Sequence, residues 1–164
     1  MPSINDLLQD ESIRHQVALQ GYTTGVLHRL LAVLNRSDVR LMAELAVALD
    51  GMDATTFTME RLESLLTSIR TMSAATYREL GQELNKELES FVAYEVSYQA
   101  QMLTEHVPVG VHVASVNVAQ VYSAAYAQPF QGVLLRDVWQ DLDAAKMKRV
   151  KQAIAQGFVE GKTT

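Results

Sequence analysis

Apolar residues return every three or four positions along most of this chain, which is the spacing of a helix with one buried face. In the first stretch they fall at Ile4, Leu7, Leu8, Val17, Val26, Leu27, Leu30, Leu31 and Leu34. Gly21-Tyr22-Thr23-Thr24-Gly25 predicts an interruption or kink, because each glycine costs a helix roughly 1 kcal/mol against alanine. Asn35-Arg36-Ser37-Asp38 predicts a stop and restart with Ser37 or Asp38 as N-cap. Leu41, Met42, Leu45, Ala46 and Leu49 are then expected inward, up to a stop at Asp50-Gly51. Met52–Phe57 reads as a loop, and Thr58 as the cap of a third helix with Leu62, Leu65, Leu66, Ile69 and Met72 buried.

Ser73 is expected to cap the longest element, from about Ala74 to His106. Tyr77, Leu80, Leu84, Leu88, Phe91, Glu95, Tyr98 and Met102 recur there as one near-heptad stripe. Such a rod is roughly 50 Å long. Glu95 interrupts the stripe, either as a seam-edge carboxylate that reaches water or as a buried acid that fixes helix register. Val107–Val113 alternates and contains Pro108 and Gly110, so it breaks the helix and marks the expected domain boundary. Beyond it Asn117 caps a short helix through Tyr126, and Gln128-Pro129-Phe130-Gln131-Gly132 forms a turn. A helix over Val133–Leu142 turns Leu134, Leu135, Val138 and Trp139 inward. Asp143 caps a last helix that buries Met147, Val150, Ile154 and Phe158.

Charge divides the chain further. Residues 1–50 hold four basic and six acidic side chains, 51–106 four and nine, and 107–164 six and four. The net charge of −5 is therefore an acidic middle followed by a basic end. Lys146, Lys148, Arg149 and Lys151 make that end either a solvated helix face or a surface for phosphate or an acidic protein. The 164 residues, 48% of them apolar, suit one domain or two small helical units. Without cysteine there is no disulfide scaffold, thiolate metal site or cysteine nucleophile. No apolar run approaches the ~20 residues that cross a membrane. The start Met1-Pro2-Ser3-Ile4 lacks the basic flank of a signal peptide, which makes cytosol the default origin.

Motifs for catalysis are missing. Gly161-Lys162-Thr163 ends like a Walker A loop but lacks its leading glycine and strand. His15, His28, His106 and His112 form no metal-ligating pair with a carboxylate, and no serine sits in a nucleophile elbow. Glu79, Glu83 and Glu87 share one helix face, which reads as a solvated acidic face or, in a metal-dependent helical-bundle enzyme, as part of a ligand set. The expectation is no catalytic, cofactor-binding or metal-ligating residue.

The C-terminal part resembles the tailed-phage minor head proteins of the phage Mu F-like head morphogenesis family. The resemblance runs through Gln128-Pro129-Phe130-Gln131-Gly132 to Trp139, the basic segment Ala144–Val150, and Ile154-Ala155-Gln156-Gly157-Phe158-Val159-Glu160-Gly161-Lys162-Thr163-Thr164, with Tyr98–Leu103 and Pro108-Val109 upstream. It covers about residues 95–164. Members of that family usually continue past Thr-Thr, so the natural chain is either short or longer than these residues. The resemblance implies a protein held inside the head at the portal or the major capsid protein, acting in head assembly and in DNA packaging or ejection.

The expected fold is all-α: an elongated helical bundle or hairpin over 1–106 with one long helix at about 74–106, then a small helical unit over 107–164. The expected role is that of a structural minor head protein, located in the virion and, during assembly, in the host cytoplasm. Lys146, Lys148, Arg149 and Lys151 are the candidate contacts to portal or, without sequence preference, to packaged double-stranded DNA. Tyr77, Leu80, Leu84, Leu88, Phe91, Tyr98 and Met102 are the candidate packing or homo-oligomer stripe. The alternative is a bacterial helical adaptor or regulator with no virion role.

Overall fold

The computed structural model describes residues 3–50, 59–106 and 116–159, the side chains at 48–50, 59–62, 155 and 157–159 excepted. Four helices make up these residues: α1 (Ile4–Asp50), α2 (Met59–His106), α3 (Val118–Ala127) and α4 (Leu135–Val159). Two long antiparallel helices form a hairpin, with α3 and α4 packed on α2. The fold class is thus the expected one, and the hairpin is longer than the 74–106 rod alone. None of the described helices is long and apolar enough to cross a membrane. The proposed loop at Met52–Phe57, the Thr58 cap, the boundary at Val107–Val113 and the C-terminal Gly161-Lys162-Thr163-Thr164 lie outside the described residues.

The two serines expected to start helices do not. α1 runs unbroken through Gly21, Gly25 and Ser37, and α2 through Ser73. Both serines are buried mid-helix. The Ser37 hydroxyl meets Thr76 Oγ1 at 2.5 Å. Thr76 spends its own proton on the Met72 carbonyl, 2.9 Å away, so Ser37 is the donor between the two hydroxyls. Ser73 donates to the Asp143 carboxylate on α4. Each hydroxyl thus has a tertiary partner in place of the local backbone groups it would cap, and packing overrides the local preference.

Asp143 likewise caps nothing. It sits inside α4, which continues from Leu135 through the expected break. Asn117 does cap α3, its side chain accepting from the Ala119 N–H at 2.9 Å. The turn before α4 also forms as expected. Phe130 and Val133 pair backbone to backbone, at 2.9 and 3.0 Å, across Gln131 (φ 51°) and Gly132 (φ 81°). Two consecutive positive φ values are what a type I′ connection needs, and glycine takes the second at no steric cost.

The core is a thin seam along the hairpin. Val33 on α1 and Leu66, Ile69, Leu80 and Val92 on α2 are buried, Ile69 and Leu80 almost completely. α2 is central: α1 covers one side of it and α3 and α4 another. α1 has a packed side toward α2 and an outer side that lies open. Met42 and Ala46, expected inward, fall on exposed positions, Met42 at 66%. The inward set of α1 is offset from them and includes His15, Val33 and Ser37.

Candidate functional site: a polar-pinned hairpin and the outer face of α4

Four polar clusters cross the α1–α2 seam. Nearest the far end, Tyr98 donates from its hydroxyl to Glu11, at 2.9 Å from Oε1. Burial and that hydrogen bond push the phenol up to about 12. One turn inward, His15 Nε2 lies 2.9 and 2.8 Å from the two oxygens of Glu95. The imidazole is buried, and its Nδ1 has no hydrogen-bond partner among the described residues. Glu95 is thus a seam residue with a defined partner on the opposite helix, its side chain only 27% exposed.

Next along the seam, Glu87 accepts from Arg29 Nε at 2.5 Å and from the Tyr22 hydroxyl at 2.9 Å. The Arg29 guanidinium and the Tyr22 hydroxyl together hold the Glu87 carboxyl below its usual range, against the opposing effect of burial. Tyr22 is pushed the other way, by burial first and then by the same carboxylate. Its ring also stacks on Phe91, with centroids 5.6 Å apart. Beyond lie Ser37–Thr76 and Arg36–Glu79, the latter at 3.2 Å with Arg40 at 4.0 Å. These pairs specify which turn of α1 meets which turn of α2.

The row Glu79, Glu83 and Glu87 is therefore committed to cations of this chain: Glu79 to arginines 36 and 40, Glu87 to Arg29, and Glu83 to Lys86 at 3.9 Å. Among the described residues no group of three or more histidines and carboxylates is placed to hold a metal ion. In the α2 stripe Leu80 is buried and Tyr77, Leu84, Leu88, Phe91, Tyr98 and Met102 are half-buried. Phe91 and Tyr98 pack against Tyr22 and His15 of α1.

α4 carries the basic cluster. Its inner side holds Trp139, Asp143, Met147, Val150 and Ile154, all partly covered. Trp139 lies against α2 at Gly81, where an added Cβ would stand 3.2 Å from the indole ring. Glycine here is a matter of space, since even a methyl group would press on the indole and a larger side chain would displace it. Beside this contact is an open cleft of about 520 Å³ lined by Thr71, Ala74, Tyr77, Arg78, Gln140 and Asp143.

The four cations of the cluster do not share one environment. Lys146 reaches across to α1 and bonds Asp38 at 2.9 Å, with its side chain 25% exposed. Ser73–Asp143 and Lys146–Asp38 thus tie α4 to α2 and to α1. Lys148, Arg149 and Lys151 are exposed on the outer side of α4, with no ion pair among the described residues. Phe130, flanking the turn, is 69% exposed. No sequence rule flags it, because an aromatic beside proline and glycine reads simply as part of a turn. In comparisons with known proteins no family model matches the chain, and no curated protein or solved structure matches it either.

Proposed function

We propose that this chain is a non-catalytic structural protein of a tailed-phage head, acting inside the head at the portal or the major capsid protein. It assists assembly and DNA packaging or ejection. Lys148, Arg149 and Lys151, exposed together on the outer side of α4, are the observation that carries the reading. They lie within the stretch that resembles the Mu F-like head morphogenesis proteins. A rigid, register-locked hairpin suits a part that works by contact, because its surface is fixed before the partner arrives.

On this reading the contact cations are Lys148, Arg149 and Lys151, while Lys146 holds α4 in place through Asp38. Contact with DNA through this face is to phosphate and blind to sequence. The test is binding of the full chain to portal rings and to duplex DNA across a salt titration. With three phosphate contacts the slope of log affinity against log salt is about −3. Reversal of the three charges to glutamate is expected to abolish the DNA slope and weaken the portal contact. If both survive unchanged, the basic face is not the binding surface. If the unsubstituted chain binds neither portal nor capsid protein, the adaptor reading takes precedence. Portal and large-terminase genes beside this one would favour the head role over an adaptor.

A further inference from the structure

α1 uses only one side. Its inner side packs on α2, while Ile13, Val17, Leu27, Leu31, Val39 and Met42 stand 43–71% exposed on the other. α2, packed on two sides, exposes only Tyr94 and Leu103 among its described large apolar side chains. The outward residues of α1 follow a step of three or four: 13, 17, 20, 24, 27, 31, 35, 39 and 42. This is the register of a helix-pairing seam, with Gln20, Thr24 and Asn35 as its polar members. Gly21 beside it has nothing within 4 Å of where its Cβ would be.

The spacing of the apolar steps selects the occupant. Ile13 with Val17, Leu27 with Leu31, and Val39 with Met42 form three steps about three to four turns apart. That layout is nearly the same read in either direction. A two-fold axis near residue 28 places the first step of one copy against the third step of the other, and the middle steps against each other. An isologous dimer has this self-complementarity, with residue i meeting j and j meeting i.

We infer that the outer face of α1, from Ile13 to Met42, is a homodimer interface that pairs antiparallel with α1 of a second copy. The two hairpins then form one continuous layer of four long helices. The inference does not depend on the proposed place in a phage head.

The test uses the full chain. Sedimentation equilibrium is expected to give twice the 18.2 kDa chain mass. Val17→Glu with Leu31→Glu is expected to weaken dimerisation at least tenfold with helicity retained, since both side chains are exposed. The absence of native cysteine allows a direct geometric readout. His28→Cys, near the axis, is expected to oxidise to a covalent dimer. Ile13→Cys is expected to crosslink with Met42→Cys on mixing, and not with itself. A monomer at every concentration overturns the inference, as does a dimer indifferent to the two glutamates. Self-crosslinking of Ile13→Cys would establish parallel pairing and overturn it equally.

Discussion

The imidazole of His15 lies flat on the phenol ring of Tyr98, centroids 3.8 Å apart and planes 8° from parallel, while its Nε2 faces the carboxylate of Glu95. One side chain of α1 is thereby held by two side chains of α2 a single turn apart. A stacked ring that also makes a directed hydrogen bond sets both the rotation and the axial position of its helix. Replacing His15 by leucine keeps the bulk and removes the cross-helix partner of a largely covered carboxylate, which keeps only its bond from Gln99 Nε2, at a cost of about 2 kcal/mol. Adding Glu95→Leu to it should recover most of that loss. Chemical denaturation of the two single variants and the double variant gives the coupling, and strict additivity would show that the contact sets nothing.

Trp139 is the only tryptophan in the chain, so its fluorescence reports the docking of α4 on α2. Gly81→Leu places a side chain where the indole sits and should red-shift the emission as the ring becomes wet. Gly81→Ala divides the effects: alanine favours the helix by about 1 kcal/mol, while its Cβ presses on the ring. The expected result is a smaller spectral shift with little net change in stability. An unshifted spectrum for Gly81→Leu would mean that the ring is not packed there.

The Glu87 cluster sets an acid limit. The carboxyl has a lower pKa folded than its ordinary 4.5, so the unfolded chain binds the proton more tightly. Its contribution is complete above pH 4.5 and is lost as the pH falls through the lowered folded value. Glu87→Gln should flatten the acid limb of a stability–pH curve in that window. An unchanged slope would assign acid unfolding to other carboxylates.

Tyr98 works in the opposite direction at high pH. Its phenol is pushed from 10 up to about 12, so between these values the unfolded chain loses a proton that the folded chain keeps. Stability should fall as the pH rises from 10 toward 12, and Tyr98→Phe should lessen the fall while weakening the hairpin at neutral pH through loss of the Glu11 contact. Ultraviolet titration of the phenols against unfolding midpoints checks the assignment.

Leu80 is 1% exposed at the middle of α2. Leu80→Ala should cost about 3 kcal/mol. A much smaller loss, measured by denaturation, would show that the seam closes around the void.

Helix content and the inward positions of α2 and α4, such as Leu66, Ile69, Leu80 and Trp139, were legible from spacing alone, whereas in α1 the same spacing put Val17, Leu27 and Leu31 on the buried face and they stand exposed. Helix ends at Ser37, Ser73 and Asp143 were misread, because the same side chain caps a helix or bridges two, and only the neighbouring helix decides which. Glu95 stood out as a break in the stripe, but its partner is 80 residues away. The division of the basic cluster was equally hidden, because Lys146 meets an aspartate 108 positions earlier. Local pattern assigns faces, whereas pairing across the fold must be seen.

The antiparallel course of α1 and α2 also orders their assembly in time. Ser37 and Thr76 are 39 residues apart along the chain, His15 and Glu95 80, and Glu11 and Tyr98 87. Each further contact closes a longer loop and so costs more chain entropy until its neighbour has formed. The hairpin therefore closes like a zip from Ser37 outward. Opening runs in reverse, and the His15 end is the first to exchange its amide hydrogens with solvent.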